Sequence, residues 1–119
     1  DLVGVSLSGL FTLWQWIVCD LFRSIACLSG SFWYEGFTTW LNIRDIPSKS
    51  GRAYFSLGDK ESRTRVKAFK SVAADTQTVI SKLRSTGIDA VFESVPGNHY
   101  DGMLSRLDKA FCYLYLKKE

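Results

Sequence analysis

The residue types and spacing that could do chemistry in this chain are a hydroxyl, an imidazole and a carboxylate. Ser6 stands in Gly4-Val5-Ser6-Leu7-Ser8-Gly9, between a short apolar run and a helical pattern. A serine on a sharp strand-to-helix turn has its oxygen lifted above the sheet, and its neighbours must be small because bulky side chains would collide there. The usual form is G-x-S-x-G. Here Ser8 occupies the last place and Gly9 follows it. The helix that begins beneath such a turn favours negative charge at its N-terminus. The same residues also suit a plain turn in which Ser6 or Ser8 caps a helix.

His99 lies in Val95-Pro96-Gly97-Asn98-His99-Tyr100 and is the one histidine of the chain. It sits in a Gly/Pro loop between the last strand candidate and the last helix candidate, where a serine hydrolase of alternating strands and helices needs its base. A lone histidine is also often structural or simply exposed. A third feature, Gly58-Asp59-Lys60-Glu61, follows another strand candidate. A carboxylate is needed to orient the imidazole and support its positive charge. The order serine, acid, histidine is that of α/β-hydrolases. Glu61 is the favoured acid and Asp59 the alternative. Either also suits a solvated charge or a helix cap.

These groups can meet only if the chain folds so as to gather them. Residues 1–5 form a short apolar run. Residues 9–23 read as a helix, with Leu10, Leu13, Trp14, Ile17, Val18, Leu21 and Phe22 at helical spacing. Residues 24–28 are a second strand candidate, 34–42 a short helix, 44–51 a loop and 52–57 a third strand. Residues 64–86 read mainly as helix ended by Gly87, and 89–93 as a fourth strand stopped by Pro96-Gly97. Residues 101–116 read as a closing helix with Leu104, Leu107, Ala110, Phe111 and Leu114 on one face. Such alternation predicts an α/β three-layer sandwich, a parallel sheet of about four strands with helices on both faces. Ligands gather at the carboxyl ends of such strands, and each feature above follows a strand candidate.

Composition narrows the classes. With 119 residues, 46% hydrophobic and 23% charged, the chain reads as one globular domain. The net charge of +3 is weak, with basic residues between Lys60 and Lys70 and at Lys117 and Lys118. That is too little and too scattered for a nucleic-acid partner. The longest apolar run, residues 10–22, is interrupted by Gln15 and Asp20 and is too short for a membrane span. No signal peptide is readable. The chain opens on Asp1 rather than Met, which suggests a processed end or a boundary within something longer. Cys19, Cys27 and Cys112 are odd in number and widely spaced, which argues against a disulfide framework or zinc site and for buried free thiols in a reducing, cytoplasmic compartment.

Gly4-Val5-Ser6-Leu7-Ser8-Gly9-Leu10-Phe11 resembles the nucleophile turn of the α/β-hydrolase esterase family that includes siderophore (enterobactin-type) esterases and esterase D relatives. Ser29-Gly30-Ser31-Phe32-Trp33-Tyr34, Tyr54-Phe55-Ser56-Leu57-Gly58-Asp59-Lys60-Glu61 and Pro96-Gly97-Asn98-His99 also resemble segments of that family, in its order. The resemblance covers nearly the whole chain. It implies serine-dependent hydrolysis of a small-molecule ester without metal or organic cofactor. Ser6 would then be the nucleophile, His99 the base, and Glu61 or Asp59 the acid. Family members are about twice this long, so residues 1–119 correspond to a single truncated domain, the C-terminal half of an α/β-hydrolase fold. In this correspondence the Leu7 backbone N–H is one oxyanion donor, and the second belongs to an upstream loop.

Three further expectations follow. Phe32, Trp33 and Tyr34 are candidates to line a substrate pocket, or else core and surface aromatics. Arg63, Arg65, Lys67 and Lys70 either attract an anionic substrate or form a solvated helix face. In the family's sheet the nucleophile strand is interior. A bare outer edge here invites pairing with another chain, so a homodimer joined near residues 1–5 is expected. The rival functions are an inactive hydrolase remnant and an interaction module in which Ser6 and His99 never meet.

Overall fold

The structure, a computed structural model, describes residues 1–116; Lys117 and Lys118 of the second basic run lie outside them. Four strands form one parallel sheet in the order β1-β2-β3-β4: β1 (Leu2–Val5), β2 (Ile25–Leu28), β3 (Arg52–Gly58) and β4 (Asp89–Val95). Its register runs Val3–Ala26, Ala26–Tyr54 and Tyr54–Val91. Each strand is followed by one of the helices α1 (Leu7–Val18), α2 (Phe37–Asn42), α3 (Val72–Ser85) and α4 (Met103–Tyr115).

Alternation along the strands sorts the core into two layers, because successive side chains of a strand point to opposite faces. Ile25 and Cys27 of β2 and Ala53 and Phe55 of β3 face one way. There they meet Leu13, Trp16 and Ile17 of α1, Phe37 and Leu41 of α2, and Val79, Ile80 and Leu83 of α3. Ala26, Leu28 and Tyr54 face the other way and meet Ala110, with Met103, Leu107, Tyr113 and Leu114 packed around it on α4. The sandwich is therefore uneven, with three helices on one face and one on the other among the described residues.

Several boundaries differ from the sequence reading. Helix α1 starts at Leu7 rather than at residue 9, because Ser6 takes an unusual backbone conformation that lets the helix begin directly after it. It ends at Val18, where Cys19 turns extended, so Phe22 reaches the core from a loop. Glycines with left-handed backbone admit two helices, Gly36 (φ 80) before α2 and Gly102 (φ 64) before α4, so both begin later than the periodicity suggests. Residues 64–86 divide into a 3-10 turn (Lys67–Phe69) and α3.

The expected apolar face of α4 is corrected. Leu104 and Phe111 are exposed, and Arg106 is buried in register with Ala110 one turn later. Positions four apart stack along a helix, so burying Ala110 against the sheet carries Arg106 inward. The thiols are corrected too. Cys27 is fully enclosed, Cys19 is half-buried and Cys112 is exposed; all three are free. Burial pushes the Cys27 thiol well above its usual range, which keeps it protonated and unreactive. Among the described residues, no helix is long and apolar enough to cross a membrane.

In the native protein, iodoacetamide is expected to modify Cys112 readily and Cys27 only after denaturation. Mass spectrometry of the native digest checks this; Cys27 modified as fast as Cys112 would contradict the enclosed core.

Candidate active site

The turn after β1 brings a serine hydroxyl to the carboxyl end of the sheet. Ser6 has φ 60 and ψ −123, a region that residues with side chains enter at a cost of roughly 1–3 kcal/mol. Several contacts hold it there. Its N–H donates to the Leu28 carbonyl (3.0 Å), and its carbonyl accepts from Gly9 (2.9 Å), Leu10 (3.3 Å) and Ser31 (3.0 Å). Ser8 closes the turn, accepting from the Val5 N–H (2.8 Å) and donating to the Val5 carbonyl (2.7 Å).

The small residues of this turn have distinct reasons. A side chain on Gly4 would strike the Ser8 carbonyl and the Thr12 hydroxyl, and a Cβ on Gly9 would lie 2.9 Å from the Gly30 Cα. Ser8 is exposed. The tight crossing between α1 and the segment after β2 is thus made at Gly9, one place beyond the final small residue of the usual pattern. This explains why serine is accommodated at residue 8.

His99 lies on the loop between β4 and α4, whose backbone is stitched to the loop after β3. Asp59 donates to the Val95 carbonyl (2.8 Å) and Lys60 to the Gly97 carbonyl (2.9 Å). A Cβ on Gly58 would lie 2.5 Å from the Gly97 carbonyl oxygen, so glycine is needed for this close approach. Two loops that are distant in sequence thereby become one platform carrying Glu61 and His99.

Three side chains meet above the sheet. His99 Nε2 is 2.9 Å from Ser6 Oγ, and His99 Nδ1 is 2.7 Å from Glu61 Oε1. The tautomer with its proton on Nδ1 satisfies both bonds, donating to Glu61 and accepting from Ser6. The Glu61 side chain is 4% exposed and that of His99 33%. The second carboxylate oxygen of Glu61 accepts from the Gly58 N–H (2.6 Å) and the Ser29 hydroxyl (2.6 Å). A carboxylate so enclosed needs such charge-assisted bonds, each worth about 1.5–3 kcal/mol. A hydroxyl bonded to an imidazole that is itself oriented by a carboxylate can pass its proton on as it attacks an electrophilic carbon.

Asp59, the alternative acid, points elsewhere and accepts from the Gly97 N–H (3.0 Å). It braces the histidine loop and does not touch the ring. Leu7 is the first residue of α1, so its N–H is one that a helix leaves without an intrahelical partner.

The cleft beside Ser6 has a volume of about 480 Å³ and is lined by Trp33, Lys60, Arg63, Phe69, Val72 and Tyr100, among others. Of the three candidate aromatics, only Trp33 reaches it, with its ring 4.5 Å from that of Phe69. Phe32 is corrected to the core, between Phe37 and Phe55, because it turns inward directly after the loop that follows β2. Tyr34 is exposed and outside the lining. Of the basic residues considered, Arg63 lines the cleft; Arg65, Lys67 and Lys70 are exposed beyond it. Among the described residues, no group of three or more His, Cys, Asp or Glu side chains is arranged to hold a metal ion.

Ser29 and Arg106 escaped the sequence reading, as did Phe69, Val72 and Tyr100 of the cleft lining. Ser29 has a left-handed backbone (φ 51) and is buried beneath Glu61. A charged residue in phase with Ala110 on a helix otherwise packed by apolar groups was the available signal for Arg106.

No family model matches the chain. "Uncharacterized protein YbbA" of Bacillus subtilis (strain 168) is 26% identical over 87 residues, which is 72% of this chain and 35% of that protein. Among solved structures, the siderophore hydrolase EstB from Aspergillus nidulans superposes with a TM-score of 0.76 at 18% identity, over 98% of this chain and 50% of that one. Esterase PE8 superposes with a TM-score of 0.64 at 23% identity, over 94% and 47%. The fold is that of the α/β-hydrolases, and the chain spans about half the length of these structures.

Replacing Gly9 with Ala is expected to lower stability by about 1–3 kcal/mol, the usual cost of overpacking. Ser8→Ala keeps the small volume and should cost less. Urea unfolding of both variants checks the order; the reverse order would contradict the close crossing at Gly30.

Proposed function

We propose that this chain is a serine hydrolase of carboxylic esters, working through an acyl-enzyme. The observation that carries the reading is the continuous hydrogen-bonded series Ser6–His99–Glu61 at 2.9 and 2.7 Å. It also counts against the interaction module, which required Ser6 and His99 to stay apart. Structural likeness to a siderophore hydrolase and an esterase favours esters as the substrate class.

In this mechanism His99 Nε2 takes the Ser6 proton as Oγ attacks the ester carbonyl. Glu61 holds the ring and offsets the positive charge that forms on it. The carbonyl oxygen becomes negative and is met by the Leu7 N–H at the start of α1. The carbon–oxygen bond to the alcohol then breaks, and His99 returns its proton to that alcohol. A water, deprotonated by the same imidazole, attacks the acyl carbon and releases the acid and Ser6. Trp33 and Phe69, rings tilted 48° to each other, offer an apolar wall for the substrate, and Lys60 and Arg63 favour substrates carrying an anionic group. No cofactor is needed for these steps.

An inactive hydrolase remnant is the second reading; the chain spans about half the length of the solved structures it matches. Three free thiols support a reducing compartment such as the cytoplasm. For assembly, we infer a homodimer. The outer edge of β1 has no strand partner among the described residues, and α1 turns Leu7, Phe11, Trp14 and Val18 outward beside it. A second copy paired along Leu2–Val5 would cover both.

A fluorophosphonate probe is expected to label the wild type and not Ser6→Ala. His99→Ala should label at least about 10³-fold more slowly. Absence of wild-type labelling would favour the remnant. Light scattering should give twice the mass of one chain; a monomer would overturn the dimer.

A further inference from the structure

Arg106 is the largest polar side chain in the interior, 2% exposed, and the reaction scheme above leaves it unused. Its guanidinium lies under the loops that carry Glu61 and His99. Nη2 donates to the Ser29 hydroxyl (2.6 Å) and the Ser56 hydroxyl (2.9 Å), Nε to Ser56 (3.2 Å), and Nη1 to the His99 carbonyl (3.2 Å). Nη1 is also 4.0 Å from Glu61 Oε2. The Ser29 hydroxyl accepts from Arg106, so its single proton is directed to Glu61. One cation thus holds the acid through a hydroxyl and holds the histidine loop through its backbone.

We propose that Arg106 is a positioning residue, which through Ser29 keeps Glu61 oriented to accept the His99 Nδ1 proton. This rests on the Ser6–His99–Glu61 reading. Three features support it beyond contact. A carboxylate buried this deeply has its negative charge favoured by a nearby cation. The planar fork of arginine spans Ser29, Ser56 and the His99 carbonyl at once, which a lysine ammonium cannot reproduce. Ser29 also retains a left-handed backbone that places its hydroxyl between the two charges.

The titratable groups around the pair come from several elements: Arg106 of α4 lies 4.0 Å from Glu61, Tyr54 of β3 interacts with Arg106, and Lys60, Arg63 and Tyr100 line the same cleft as Glu61 and His99; Asp59 and Asp101 bond instead to the backbone of residues 97 and 98. Removing this guanidinium takes a positive charge from beside the imidazole–carboxylate pair and makes proton uptake there more favourable. The acid limb of a rate profile must then move to higher pH.

The test uses the full chain as wild type, Ser29→Ala, Arg106→Lys and Arg106→Gln. The rate of Ser6 labelling by a fluorophosphonate is measured against pH. The downfield Nδ1 proton of His99, unambiguous because the chain has one histidine, is followed by NMR. Arg106→Gln is expected to move the acid limb upward and lower the plateau about 10–100-fold, as loss of an outer-shell partner does elsewhere. Arg106→Lys should restore the limb but not the plateau. Ser29→Ala removes no charge and tests the relay even if Arg106→Gln fails to fold; it should weaken or abolish the Nδ1 resonance and slow labelling. Wild-type profiles and an intact resonance in folded Ser29→Ala would overturn the proposal. If the wild type itself is not labelled, the hydrolase reading fails. The resonance then still decides the positioning role: its loss in Ser29→Ala supports that role, and its persistence refutes it.

Discussion

The fold is organised around a carboxylate that must be buried beside the sheet. Glu61 is nearly out of reach of water, and a charge taken from water is tolerated only when partners replace its hydration. Those partners come from separate parts of the chain: the hydroxyl of Ser29 after β2, the N–H of Gly58 at the end of β3, and the ring of His99 after β4. Arg106 on α4 stands behind them at 4.0 Å. Burial of that guanidinium pulls it below its ordinary value, while the Glu61 charge opposes the shift. Removing one partner of such a buried pair commonly costs about 3–5 kcal/mol, because the other is left uncompensated. The same interaction therefore ties three strand ends and the last helix together and sets the geometry of the cleft.

A second constraint acts on the backbone. Ser6 holds a conformation that would relax if the surrounding bonds were lost, and its carbonyl accepts from Gly9, Leu10 and Ser31 together. Close crossings at Gly4, Gly9 and Gly58 leave no space for a side chain. Rigid, crowded packing beneath the strand ends is what allows a strained turn to present a hydroxyl upward. Strain and small residues are thus two aspects of one arrangement.

The two layers of the sandwich differ in completeness. Among the described residues, three helices bury one face of the sheet and α4 covers the other, leaving Val3 and Val5 half-buried at its margin. The outward residues of α1 continue the same apolar region around β1. A sheet edge bearing unpaired backbone groups beside such a surface is suited to pairing with another strand.

The alternation of strands and helices, the parallel sheet and the places where loops leave it are legible in the residues alone, because period and turn residues are local signals. The sequence singled out Ser6, His99 and Glu61 by residue type and by position after strands. It left Glu61 and Asp59 unresolved, since both follow Gly58 and their directions depend on backbone bonds to residues 95–97. Tertiary structure alone turned Glu61 to the ring and Asp59 to the Gly97 N–H. It also sent Phe32 into the core while Trp33 reached the cleft, although the two are adjacent in sequence. The roles of Ser29 and Arg106 arise from partners 77 positions apart, and the face of α4 that carries Arg106 inward was set by packing Ala110 against Leu28 and Tyr54 rather than by the count of apolar residues along the helix. Local periodicity fixes which residues share a face; only the packed neighbours decide which face is buried, because that choice minimises exposed apolar surface over the whole molecule.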